Sequence, residues 1–137
     1  QGEILRGVIP IEREITNGKD VFIYRLRDFP KVKGILFSNN DIVEMGIPYD
    51  VVVNKVLRKE QGTLLFSEVY HELSIGDILH VRISGTSNIG HPMFKLHDYI
   101  GFVVSGEKIS LGKDVYVEVR KIKSKRAPKI LETIFYY

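Results

Sequence analysis

The chain of 137 residues contains no cysteine. Disulfide staples, thiolate metal sites and cysteine nucleophiles are therefore excluded, and so small a chain must be held together by packing alone. No apolar run reaches the roughly 20 residues of a helical membrane span. The start lacks a basic segment followed by an apolar one, so no secretory leader is expected, and the expected compartment is the cytoplasm. There is no Gly-rich phosphate loop, no G-x-S-x-G and no cofactor fingerprint. The four histidines, at 71, 80, 91 and 97, follow no metal-ligand spacing. Glu12 and Glu14 share a strand face, where carboxylates are usually plain polar surface. No catalytic residues, cofactor or metal site are expected.

Helical periodicity is also scarce, and almost every patterned segment has period two. Leu79, Val81 and Ile83 alternate with His80, Arg82 and Ser84; Val115, Val117 and Val119 alternate with Tyr116, Glu118 and Arg120. This is the pattern of half-buried antiparallel strands. Turn-forming clusters punctuate them, and Asn17-Gly18 is a strong hairpin signal because a type I′ turn needs positive φ at both central residues. Strands are expected at 2–13, 20–27, 32–38, 50–59 and 63–70, then at 77–84, 92–97, 100–105, 114–123 and 129–136. One helical turn is expected around Asn40 to Met45, capped by Asn40 or Asp41.

The chain repeats itself. Gly2-Glu3-Ile4-Leu5 is echoed by Gly76-Asp77-Ile78-Leu79, Val32-Lys33-Gly34-Ile35-Leu36-Phe37-Ser38 by Tyr99-Ile100-Gly101-Phe102-Val103-Val104-Ser105, and Asp50-Val51-Val52-Val53 by Asp114-Val115-Tyr116-Val117. The echoes keep their order at offsets of 74, 67 and 64 residues, which is the signature of a tandem repeat with altered loops. The expected fold is all-β: two tandem small OB-like antiparallel β-barrels, 1–73 and 74–137. One larger barrel built from all the strands is the alternative.

Charge divides unevenly over the repeats. Residues 1–73 carry ten Lys and Arg against eleven Asp and Glu, whereas residues 74–137 carry ten against six. The excess of positive charge in the second half points to a polyanionic partner. OB-type barrels hold single strands by stacking bases on aromatic rings beside cations. The second half supplies Tyr99, Phe102 and Tyr116 with His80, Arg82, Lys95, Arg120, Lys121, Lys123, Lys125 and Arg126. Phe94 and Phe102 suit a barrel interior equally well, and the run from Arg120 to Arg126 reads either as a phosphate-binding stripe or as a lysine-protected edge strand. In the first half Lys31, Lys33, Lys55, Arg58 and Lys59 are offset by acids and read as solvated surface.

The second half resembles the TRAM domain, an OB-like barrel of RNA-modifying enzymes that also occurs alone. The resemblance runs through Ile75-Gly76-Asp77-Ile78, Tyr99-Ile100-Gly101-Phe102-Val103-Val104, Leu111-Gly112-Lys113-Asp114-Val115 and the basic Lys121-Ile122-Lys123-Ser124-Lys125-Arg126-Ala127. It implies RNA as partner, in the tRNA, rRNA or translation system, and non-catalytic binding. A protein-interaction adaptor is the alternative, docking through the first barrel or through the apolar C-terminal strand Ile134-Phe135-Tyr136-Tyr137.

Overall fold

A computed structural model describes residues 2–105, 109–124 and 127–137. Among the described residues there are twelve strands and no helix, so none is long and apolar enough to cross a membrane. The chain divides into two units, Gln1–Ser38 with Val43–His71, and Asn39–Ile42 with Glu72–Tyr137.

The first unit contains β1 (Ile4–Val8), β2 (Glu12–Thr16), β3 (Lys19–Leu26), β4 (Phe29–Phe37), β5 (Tyr49–Lys59) and β6 (Gly62–Val69), in the sheet order β1-β5-β6-β4-β3-β2. The second contains β7 (Ile78–Arg82), β8 (Gly85–Thr86), β9 (Pro92–Leu96), β10 (Tyr99–Val103), β11 (Asp114–Lys123) and β12 (Lys129–Phe135), in the order β7-β11-β12-β10-β9-β8. The two orders are the same. Each begins and ends with strands consecutive in sequence, so one bent strand serves both edges of a curled sheet. The result is two tandem small OB-like β-barrels. Pairing is antiparallel except for β4 with β6 and β10 with β12, which are parallel.

The strand expected over 2–13 is thus two strands. Pro10 has no N–H to donate and interrupts the ladder. At the bend the Asp50 carboxylate accepts hydrogen bonds from the Gly7 N–H at 3.0 Å and from Arg6 at 2.9 Å. The expected hairpin is present, with φ of 53° at Asn17 and 76° at Gly18 between β2 and β3.

Residue-level equivalence extends the duplication. Gly2 N–H donates to the Val53 carbonyl as Gly76 N–H donates to Val119, and Tyr70 N–H donates to Asp50 as Tyr136 N–H donates to Tyr116. A bulge follows Val53 in β5 and Val119 in β11. These pairs set the later strands at an offset of 66 residues (Val53/Val119, Tyr70/Tyr136), so Val51 matches Val117 and Asp50 matches Tyr116. The third sequence echo, at 64, is therefore two residues out. A slip of two leaves every side chain on its own face, which is why alternation alone did not expose it.

Each interior is closed by an aromatic ring lying across a glycine. Tyr24 pairs with Gly34 and Phe94 with Gly101, and a Cβ on either glycine would overlap the opposing ring. Around these rings pack Val8, Phe22, Leu36, Val51 and Val69 in the first barrel, and Leu79, Val81, Leu96, Val103, Val117 and Leu131 in the second. The buried polar side chains are also equivalent. Ser67 lies 2.7 Å from the Tyr24 hydroxyl, whereas Thr133 donates to the Phe102 carbonyl at 2.9 Å. The partner changes because phenylalanine has no hydroxyl to offer.

The helical turn expected at Asn40 to Met45 is not formed, because Asn39–Ile42 joins the second barrel. Asp41 bridges Val81, the Ile42 N–H donates to His80 and the Arg82 N–H to Asn40. Asn40 also donates its N–H to the Lys95 carbonyl at 3.1 Å and accepts from the Lys95 N–H through Oδ1 at 2.6 Å. One asparagine thus links the backbones of β7 and β9.

Two outcomes are expected. Tyr24→Phe leaves Ser67 without its partner and costs about 1–3 kcal/mol in urea unfolding; adding Ser67→Thr reproduces the pair of the second barrel and recovers most of that loss. The Asp50 carboxyl is held below its usual value of 3.8 by its hydrogen bonds to Arg6 and Gly7. A carboxyl depressed on folding contributes stability that is present above its unfolded pKa and disappears as pH falls through the folded one. Arg6→Gln should therefore flatten the fall of the urea midpoint on acidification from about pH 5 to pH 2, while a slope equal to that of the parent would refute the assignment.

Candidate nucleic-acid interface

Alternation along paired strands decides which expected site residues share a surface. In the second barrel Phe94, Leu96, Gly101, Val103, Leu131 and Thr133 are buried on the inner face. Their neighbours in sequence point outward. Register then gives two outer rungs across four strands: Lys95, Ile100, Ile130 and Lys123 in one, and Met93, Phe102, Glu132 and Lys121 in the next. Lys95, Phe102, Lys121 and Lys123 therefore share one face, and Phe102 is half-buried on it rather than part of the interior.

His80, Arg82 and Tyr116 lie on the same side of the sheet at the far end of β11. Tyr116 pairs with His80 in register, and their rings stack at 4.1 Å with 7° between planes. Tyr116 is 51% exposed. Arg82 is opposite Asp114 and reaches its carboxylate at 2.9 Å. Arg120 sits at the bulge, out of the alternation, and contacts Glu118 at 3.4 Å.

Tyr99 must be removed from the group. It is only 4% exposed, on the inner face with Gly101 and Val103. Its hydroxyl accepts from the Leu73 N–H at 3.4 Å, and Lys129 lies over its ring at 5.6 Å. The phase of β10 forces this: once Gly101 faces the Phe94 ring, Tyr99 two residues earlier faces inward as well. Lys125 and Arg126 lie outside the described residues.

The basic run of β11 is not a simple sheet edge. β11 pairs with β7 over Asp114–Glu118 and with β12 over Val117–Lys123. Arg120 and Lys123 are also matched by acids. Lys123 reaches Glu132 at 3.1 Å, and Glu132 is held below its ordinary carboxylate value mainly by that hydrogen bond, with Lys121 and His91 adding to it. Ion pairs exposed to this degree stabilise weakly, so a phosphate can replace the carboxylate at little cost.

Among the described residues no three His, Asp or Glu side chains converge on a metal-sized site. A basic cluster that sequence reasoning missed lies in the first barrel. Arg25, Lys31, Lys33 and Lys59 line one groove, although the acids of that half made the three lysines read as solvated surface. The available signal was period two: Lys31 and Lys33 are on one face of β4, opposite Arg25 of β3. No family model matches the chain, and neither the curated proteins nor the solved structures contain a match to it.

Proposed function

We propose that the protein is a non-catalytic RNA-binding protein whose second barrel holds a single strand on the outer face of β7, β9, β10, β11 and β12. The observation that carries this reading is the convergence, from three strands, of Lys95, Phe102, Lys121 and Lys123 on one face, with the His80–Tyr116 stack farther along β11. Cations beside rings suit a chain of alternating phosphates and bases. A base laid on Tyr116 would lengthen a stack that already exists. RNA rather than DNA, and a place in the tRNA, rRNA or translation system, rest on the TRAM resemblance.

A second reading, docking of a protein partner on the first barrel, is favoured by one feature. The Gly46 N–H donates to the Pro10 carbonyl at 3.0 Å, which brings the exposed Ile9 and Ile11 near the exposed Met45 and Ile47. The C-terminal strand is a poorer candidate for strand addition, since β12 is already paired with β11 on one side and β10 on the other.

Fluorescence anisotropy with matched RNA and DNA oligomers at two salt concentrations separates the readings. Lys95→Ala, Lys121→Ala and Lys123→Ala together should reduce the slope of log affinity against log salt by about 2, at about 0.7 per phosphate on a single strand. Tyr116→Ala should cost about 1–3 kcal/mol of binding, and Tyr99→Phe should change nothing. Glu132→Gln, which frees Lys123, should tighten binding. Absence of binding even at low salt would sink the RNA reading and leave the docking surface.

A further inference from the structure

The geometry points to a phosphate-binding site in the first barrel: a groove that takes an anion carrying two or more phosphate groups. The groove, of about 330 Å³, is formed by the end of β3, the start of β4 and the β5–β6 hairpin. Arg25, Lys31, Lys33 and Lys59 line it together with Gln61 and Thr63, and no Asp or Glu is on its lining. The barrel is near neutral as a whole, so the concentration of cations is local.

Three features make the cluster more than ordinary solvated charge. First, Arg25 and Lys33 are direct cross-strand partners. Like charges opposite one another destabilise a sheet, and an anion placed over the pair reverses the sign of that contribution. Lys33 also reaches Glu14 at 3.4 Å, which offsets the repulsion from one side only.

Second, alternation brings all four cations to the outer face. Lys31 and Lys33 are two apart on β4, and Lys59 is the last residue of β5, paired with Gly62 across the hairpin. Third, the backbone is arranged to bring the hairpin close to β4. Gly62 has φ of 144°, and a Cβ there would overlap the Lys31 carbonyl. Only glycine lets the hairpin strand approach so closely that Lys31 and Lys59 share one groove.

Arginine and lysine recognise phosphate through charge-assisted hydrogen bonds, arginine as a fork and lysine as a point charge. Four cations carry about twice the charge of one phosphate dianion, so a ligand that presents several phosphates matches the groove. A nucleic-acid backbone and a free polyphosphate share this chemistry. The proposal stands apart from the RNA reading of the second barrel, which uses different residues.

The test is a titration of the full chain with inorganic tripolyphosphate, followed by backbone amide NMR. Saturable shifts are expected at Lys31, Lys33, Gly62 and Thr63, and should persist in the Lys95→Ala, Lys121→Ala, Lys123→Ala variant. Lys31→Gln with Lys59→Gln should weaken binding about tenfold, the order of one or two charge-assisted hydrogen bonds. These are exposed positions, and retained amide dispersion verifies the fold. A single-stranded oligomer that displaces tripolyphosphate from these amides identifies the nucleic-acid backbone as the source; tripolyphosphate that stays bound identifies a free polyphosphate. Shifts absent, non-saturable or undiminished in the double glutamine variant overturn the proposal. Loss of RNA binding in the second-barrel variant with these shifts intact would leave the groove assignment standing by itself.

Discussion

Both barrels depend on one contact, the flat approach of an aromatic ring to a backbone that carries no side chain. Tyr24 over Gly34 and Phe94 over Gly101 fill the interior where a β-carbon would collide. Because the ring and the glycine are on adjacent paired strands, the contact fixes register as well as volume. It therefore sets the face of every other residue on β3, β4, β9 and β10. Phe102 is outward and Tyr99 inward for this reason, and the candidate interface inherits its composition from a packing requirement in the core.

The fold was largely legible in the sequence because period-two patterning survives local error. The valines of β11, the Asn17-Gly18 turn and the order of the echoes all led to two small β-barrels. What escaped was whatever alternation does not encode. A two-residue slip in the third echo preserves faces, so Asp50 was matched with Asp114 rather than Tyr116. Pro10 splits one strand into two edges, although its neighbours continue the apolar pattern. Asn40 has the side chain of a helix cap, and here the same amide oxygen accepts from the Lys95 N–H and the Ser84 hydroxyl. Local preference was satisfied by a remote partner.

The site was less legible than the fold, since charge counting is blind to pairing. The second half carries the surplus of positive charge, yet Arg82, Arg120 and Lys123 each have a carboxylate beside them. The first half carries no surplus, yet it gathers four cations in one groove. Net charge reports what a barrel would feel at long range; recognition at close range depends on which cations remain available to a ligand. Register carries that information, and register came only with the structure.

The small segment Asn39–Ile42 has a consequence for how the repeat can be handled, in evolution and at the bench. The second barrel draws part of its hydrogen bonding from residues that precede its own sequence by some thirty positions. A copy cut from the gene at the apparent repeat boundary would lack Asn40, leaving the Lys95 amide and carbonyl and the outer edge of β7 without those partners. Such a fragment is an incomplete module. The two halves of the coding sequence are consequently no longer interchangeable cassettes, and recombination that shuffles the second alone would be selected against.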